Sequence, residues 1–198
     1  MTEKRRVGSE GSTTRTFILD ATQHLMVEEG YAAVTTRRIA SQAGLKPSLV
    51  QYYFPTMDEL LLAVYRRAAQ QSIDLQVAAL ASGRPLHALW DLSSETAHAV
   101  LAVEFMALAN HRKTIRAEIA LYSERSRALQ TEALARLLSG SVVDPELYSA
   151  GGVSLLLAGA ARALVMESAL GIAGGHRDAR DIVERWLDSV EPGDPERR

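Results

Sequence analysis

The 198-residue sequence predicts an all-α protein. Apolar residues recur at helical spacing from Thr14 almost to the C-terminus, no alternating strand pattern of useful length interrupts them, and Gly and Pro mark the breaks. A content of 47% hydrophobic and 23% charged residues is that of a folded chain and excludes global disorder.

Residues 1–13 are polar and small, carry Lys4, Arg5 and Arg6, and predict a disordered basic arm. No apolar run follows those cations, so the arm does not read as a signal peptide. Phe17, Ile18, Ala21 and Leu25 then place one face of a helix over Thr14–Val27, with Gly30 available as a left-handed stop. A second helix is expected over Thr36–Ala43 and a third from Pro47. Thr56 followed by Glu59 is a capping-box pattern and starts a fourth. Further helical segments are predicted at Leu60–Leu80, Pro85–Asn110, Thr114–Leu138, Pro145–Leu170 and Arg177–Val190, and a flexible tail over 192–198.

Composition narrows the function classes. A net charge of −2 gives no overall basic footprint, so any nucleic-acid contact has to come from local charge placement. With no cysteine there is no disulfide, thiolate metal site or cysteine nucleophile, which fits a reducing, cytoplasmic setting. The longest uncharged apolar-leaning stretch, Leu147–Ala161, falls short of the roughly 20 residues a membrane helix needs, so no membrane partner is expected. The five histidines form no HExxH and no Glu-x-x-His pair, and no GxSxG, phosphate loop or dinucleotide glycine motif is present. No catalytic residue, metal ligand or cofactor is therefore assigned.

Residues 35–54 carry the sharpest local signal. Ile39, Ala40 and Ala43 share one face of the second helix, Gly44 permits the positive φ of a tight interhelical turn, and Pro47 suits the first turn of the third helix. Val50 and Phe54, four apart, can pack inward. That leaves Ser48, Gln51 and Tyr52 on the opposite face, free to enter a major groove. Arg37 and Lys46 can neutralise phosphates, the hydroxyls of Thr36, Ser48 and Tyr53 can donate to phosphate oxygens, Gln51 can pair with adenine edges, and Thr56 places a helix N-terminus near the backbone.

Residues 18–62, ILDATQHLMVEEGYAAVTTRRIASQAGLKPSLVQYYFPTMDELLL, resemble the N-terminal domain of the tetracycline-repressor (TetR) family. The resemblance lies in a first helix ending in EEG-aromatic, then TT-basic-basic-IA, AG-aliphatic, and an aromatic-Phe pair before the fourth helix. It implies DNA contacts at Thr36, Arg37, Lys46, Pro47, Ser48, Gln51 and Tyr53, with Tyr52 and Thr56 beside them. Two positions depart from the family pattern: Gln51 stands where many members have Tyr, and Met57 where many have Lys.

The expected organisation is thus a three-helix DNA-binding domain with a helix-turn-helix at 14–55, and a larger helical ligand-binding and dimerisation domain at 56–191, about nine helices in all. Trp90, Phe105, Tyr122 and Met166 supply large side chains for an apolar pocket, to which His98 and Asn110 could add polar contacts. Gly151, Gly152, Ala158, Gly159 and Ala161 permit close helix approach. The resemblance places a homodimer interface on the last two long helices, about 145–170 and 177–190, as a four-helix bundle with the partner. The function expected is a repressor that binds a pseudo-palindromic double-stranded operator and is released by a small, largely apolar effector. The competing expectation is a helical protein-binding adaptor without DNA contact.

Overall fold

The structure is a computed structural model describing residues 12–94, 96–139 and 148–192, apart from the side chains of 96–99. Among the described residues it contains helices and no strand: α1 Thr13–Glu29, α2 Thr36–Ala43, α3 Pro47–Tyr53, α4 Met57–Leu80, α5 Pro85–Ser93, α6 Thr96–Ala109, α7 Lys113–Leu138, α8 Ala150–Ala169 and α9 His176–Val190, with a 3-10 turn at Tyr31–Ala33 after α1. The all-α expectation holds.

Several boundaries differ from those the sequence predicts. The helix begins at Thr13, inside the segment expected to be an arm, while residues 1–11 of that arm lie outside the described residues. Pro85–Asn110 is two helices, not one. The Ser93 hydroxyl donates to the Leu89 carbonyl at 2.7 Å, and the Ser94 N–H turns back to Trp90 and Asp91 carbonyls. The bond to Asp91, from residue i to i−3, is the tightened last turn of a helix. The helix predicted from Pro145 starts at Ala150 instead, because Ser149 is extended and caps it, its Oγ accepting the Gly152 N–H. Residues 193–198 of the expected tail lie outside the described residues.

The chain divides into two compact units. One reaches to Ala69 and adds Leu101–Ile119; the other takes Gln70–Val100 and everything from Ala120. Three helices, α4, α6 and α7, therefore run from one unit into the other.

The core of the first unit gathers Ile18, Leu25 and Met26 from α1, Ile39 from α2, Val50 from α3, Leu60 and Val64 from α4, Phe105 and Leu108 from α6, and Ile115 from α7. Polar clamps tie its elements together. Glu104 accepts the Tyr31 N–H at 2.7 Å, satisfying a donor in the turn after α1. Arg67 pairs with Asp20 at 2.7 Å and donates to Gln23. Arg66 grips Glu118 through two bonds, of 2.6 and 3.0 Å, and this hydrogen bonding holds the Glu118 carboxyl below its ordinary 4.5.

In the second unit Leu86, Trp90, Leu134, Leu138, Val153, Leu164, Leu187 and Val190 form a separate core. Glu191, at the end of α9, is buried and caps α5: its carboxylate accepts the backbone N–H groups of Leu86 and His87, at 3.1 and 3.2 Å, and contacts His87 Nδ1 at 2.7 Å. Alongside, Arg84 binds Asp188 and holds that carboxyl below its usual range. A chain of side-chain amides and hydroxyls links α4, α7 and α8. Gln76 Oε1 accepts from Ser126 at 2.7 Å and from Gln130 at 2.9 Å, and Ser154 donates to Gln130 Oε1 at 2.9 Å.

By length and composition α8 alone, among the described residues, could cross a membrane, with a mean hydropathy of 1.4 in its most apolar window. It also carries Arg162 and Glu167, and it buries Val153, Ser154, Ala161, Leu164 and Val165 within its own unit.

Gly44 ends α2 in the left-handed region at φ 67°, with open space where a Cβ would stand. Gly44→Ala therefore meets backbone strain and no clash, and should lower stability by about 1 kcal/mol, read from the urea midpoint.

Candidate functional site

The helix-turn-helix is built by caps and two inward anchors. Thr35 is extended, and its hydroxyl accepts the Arg38 N–H at 3.3 Å, which fixes the start of α2. At the other end the Leu45 N–H returns to the Ala40 carbonyl at 2.8 Å around the left-handed Gly44. Pro47 then opens α3 at a position where its missing N–H costs nothing. Val50 and Phe54 are buried in the first unit's core, and the Arg15 guanidinium lies 5.1 Å from the centre of the Phe54 ring.

With those two residues inward, Lys46, Pro47, Ser48, Gln51 and Tyr52 stand in solvent, and Tyr52 is 54% exposed although it is a large aromatic. Its ring meets Tyr53 edge-on with centroids 5.4 Å apart. Tyr53 is half-buried, its hydroxyl 2.9 Å from Ser12 Oγ. Thr36 is half-buried at the start of α2 and Arg37 is exposed. Thr56 uses a lone pair of Oγ1 to accept the Glu59 N–H at 3.2 Å, so its own O–H proton stays available to an acceptor. All nine residues singled out from the sequence thus lie in one short stretch of the first unit.

Local charge separates this stretch from the acidic whole. Between Gly30 and Met57 the sequence contains Arg37, Arg38 and Lys46 and not one carboxylate. Arg38 is engaged by Glu29. Arg37 and Lys46 have no ion-pair partner among the described residues, and both are exposed. This is the local positive placement that a phosphate backbone requires, with the hydroxyls of Ser48, Tyr53 and Thr56 around it.

The six pocket candidates do not converge. Trp90 lines a cavity of about 30 Å³ within the second unit, together with Leu86, Leu89, Leu134 and Leu157 and the polar residues Ser93, Gln130 and Ser154. Phe105 is instead core of the first unit, edge-on to Tyr65 at 5.1 Å. Asn110 is exposed in the turn after α6, Met166 is partly exposed on α8, and Tyr122 is half-buried on α7. The side chain of His98 lies outside the described residues. Helical spacing marks large residues as inward-facing; it does not say into which of two cores they face.

Several residues that organise the site carry no local signal. Glu104 lies 73 positions from the N–H it satisfies, and Arg112 reaches Asp58 near the start of α4. Gln130, Ser154 and Arg127, which hydrogen-bond in a chain, are ordinary polar residues of their helices until the fold joins them. Thr35 was readable, since a threonine just ahead of a helical pattern is a cap.

Residues 18–64 match the family model of bacterial regulatory proteins of the tetR family. An HTH-type transcriptional regulator, BetI, of Rhizobium meliloti is 33% identical over 130 residues, covering 65% of this chain and 60% of that protein. The chain thus matches less than two thirds of that relative's length. A TetR transcription regulator from Haloarcula marismortui superposes with a TM-score of 0.71 at 20% identity, over 88% of this chain and 96% of its own. A transcriptional regulator from Saccharomonospora viridis, solved in complex with choline, does so with a TM-score of 0.75 at 22% identity, over 86% and 95%.

Proposed function

We propose that this chain, which belongs to the tetR family of bacterial regulatory proteins, is a homodimeric regulator that holds double-stranded DNA through α2 and α3 and is released by a small effector bound in the second unit. The observation that carries the DNA reading is α3 itself. A seven-residue helix anchored by Val50 turns Ser48, Gln51 and Tyr52 to solvent, beside two cations that lack ion-pair partners among the described residues. In the groove, Gln51 reads a base edge while Arg37, Lys46, Thr36, Ser48, Tyr53 and the start of α4 at Thr56 hold phosphates. Repression, by occupying a pseudo-palindromic operator in the cytoplasm, is the mode we assign.

Dimerisation is supported by the surface of α8 and α9. Leu155, Leu156, Met166, Leu170 and Ile182 are all exposed, Leu156 at 74% and Leu170 at 76%. Apolar residues in such number on neighbouring helices suit a partner surface. A second copy explains this face better than lipid does, because Arg162 and Glu167 interrupt α8, and charges in hydrocarbon are expensive. Two-fold symmetry then presents two α3 helices to two half-sites. An effector acts by favouring one arrangement of these reading heads over the other, and α4 offers the route, as one continuous helix that follows α3 and enters the second unit.

Selection of bound duplexes from a random pool supplies the DNA for the test. Arg37→Ala should weaken binding to all sequences alike and lower the slope of log affinity against log salt by about one, whereas Gln51→Ala should relax preference at one base position. If the chain retains no DNA at low salt, the adaptor alternative replaces this one. Leu156→Glu should shift the sedimentation mass from dimer to monomer, and an unshifted dimer would remove α8 from the interface.

A further inference from the structure

We infer that Lys4, Arg5 and Arg6 make a second DNA contact, on phosphates flanking the stretch that α3 occupies, because the segment carrying them joins the fold beside the end of α3. The inference rests on the DNA reading above and adds to it a segment that the helix-turn-helix does not contain.

Two contacts between the start of α1 and the end of α3 fix the place of joining. Ser12 stands immediately ahead of α1 in extended backbone, at φ −71° and ψ 130°, yet its side chain does not cap that helix. A serine in this position ordinarily accepts an N–H of the first turn. Its Oγ lies instead 2.9 Å from the hydroxyl of Tyr53, 41 residues away in sequence. Three positions on, the Arg15 guanidinium sits 5.1 Å from the centre of the Phe54 ring. Tyr53 and Phe54 end α3, so Ser12 is held at the end of the helix assigned to the groove. The Tyr53 hydroxyl is itself one of the phosphate donors assigned above. The segment ahead of Ser12 therefore starts at the surface that faces phosphates.

Charge and reach decide what such a segment meets there. Residues 1–19 hold four cations, Lys4, Arg5, Arg6 and Arg15, against two carboxylates, Glu3 and Glu10, in a chain whose net charge is −2. Three adjacent like charges repel one another, and a polyanion relieves that repulsion while releasing its own counterions. Arg6 is six residues from Ser12 and Lys4 is eight, which sets their greatest distance from it at about 20 Å and about 27 Å. The grooves of DNA are roughly 6 and 12 Å wide, so this span reaches past one strand's backbone, beyond the bases that α3 faces. Contacts of this kind are indifferent to base sequence. They add affinity and salt dependence and leave base preference to α3.

Titration of a selected duplex with the full chain over a range of salt, with hydroxyl-radical footprinting of the complex, tests this. Lys4→Gln, Arg5→Gln and Arg6→Gln together should weaken every duplex about tenfold or more near physiological salt and lower the slope of log affinity against log salt by about two to three. Protection should be lost at the flanking nucleotides only, with the base preference that depends on Gln51 unchanged. Arg5→Lys with Arg6→Lys keeps the charge and should keep both slope and footprint. An unchanged slope in the triple variant, a loss of equal size in the double variant, or no flanking protection by the unaltered chain overturns the inference, and the last of these needs no variant to fold. Binding that falls with Arg37→Ala but not with the triple variant sinks this inference alone. Binding that depends on the three cations and on neither Arg37 nor Gln51 sinks the helix-turn-helix reading and leaves this contact standing. An unaltered chain that retains no duplex at low salt sinks both.

Discussion

The burial of Val50 and Phe54 in the first unit's core is the interaction on which the exposed face of α3 depends. A seven-residue helix cannot stand alone in water, because nucleation costs more than so few backbone bonds return. Packing two side chains four positions apart orders α3 and in the same act fixes which side is left over. Ser48, Gln51 and Tyr52 face solvent because their neighbours cannot. Gly44 contributes by turning the chain in the left-handed region, so that α2 and α3 share one core.

The frame around α3 is held by elements far away in sequence. Glu104 on α6 satisfies the turn after α1, Arg67 on α4 ties back to α1, and Arg66 grips Glu118 on α7. The exposed ion pairs among these contribute little energy singly. Their effect is positional: they fix how α6 and the start of α7 complete a unit that begins with α1. α4, α6 and α7 each continue from the first unit into the second.

Short-range determinants were legible in the sequence, and long-range ones were not. The bounds of α2 and the start of α3 follow from a threonine cap, a glycine stop and a proline at a first turn, all within a dozen residues, and the inward Val50 and Phe54 follow from their spacing. Phe105 was equally recognisable as an inward residue, yet its partner Tyr65 lies in the first unit's core and not around a ligand pocket. Nothing in a 3.6-residue period distinguishes two cores. The pair Arg37 and Arg38 makes the same point for charge. They are adjacent and chemically identical, and only the fold, by bringing Glu29 to Arg38 and not to Arg37, distinguishes them. The break after Ser93 was hidden because neither Ser93 nor Ser94 is a helix breaker by type, and no Gly or Pro marks the position.

Amide hydrogen exchange of the full chain, with and without a selected duplex, measures the central claim most directly. The account predicts added protection over Lys46–Tyr53 and at the start of α2, with the buried backbone around Ile18 and Leu25 unchanged. Protection confined to other segments, with the amides of α3 exchanging as fast as in the free protein, would contradict it.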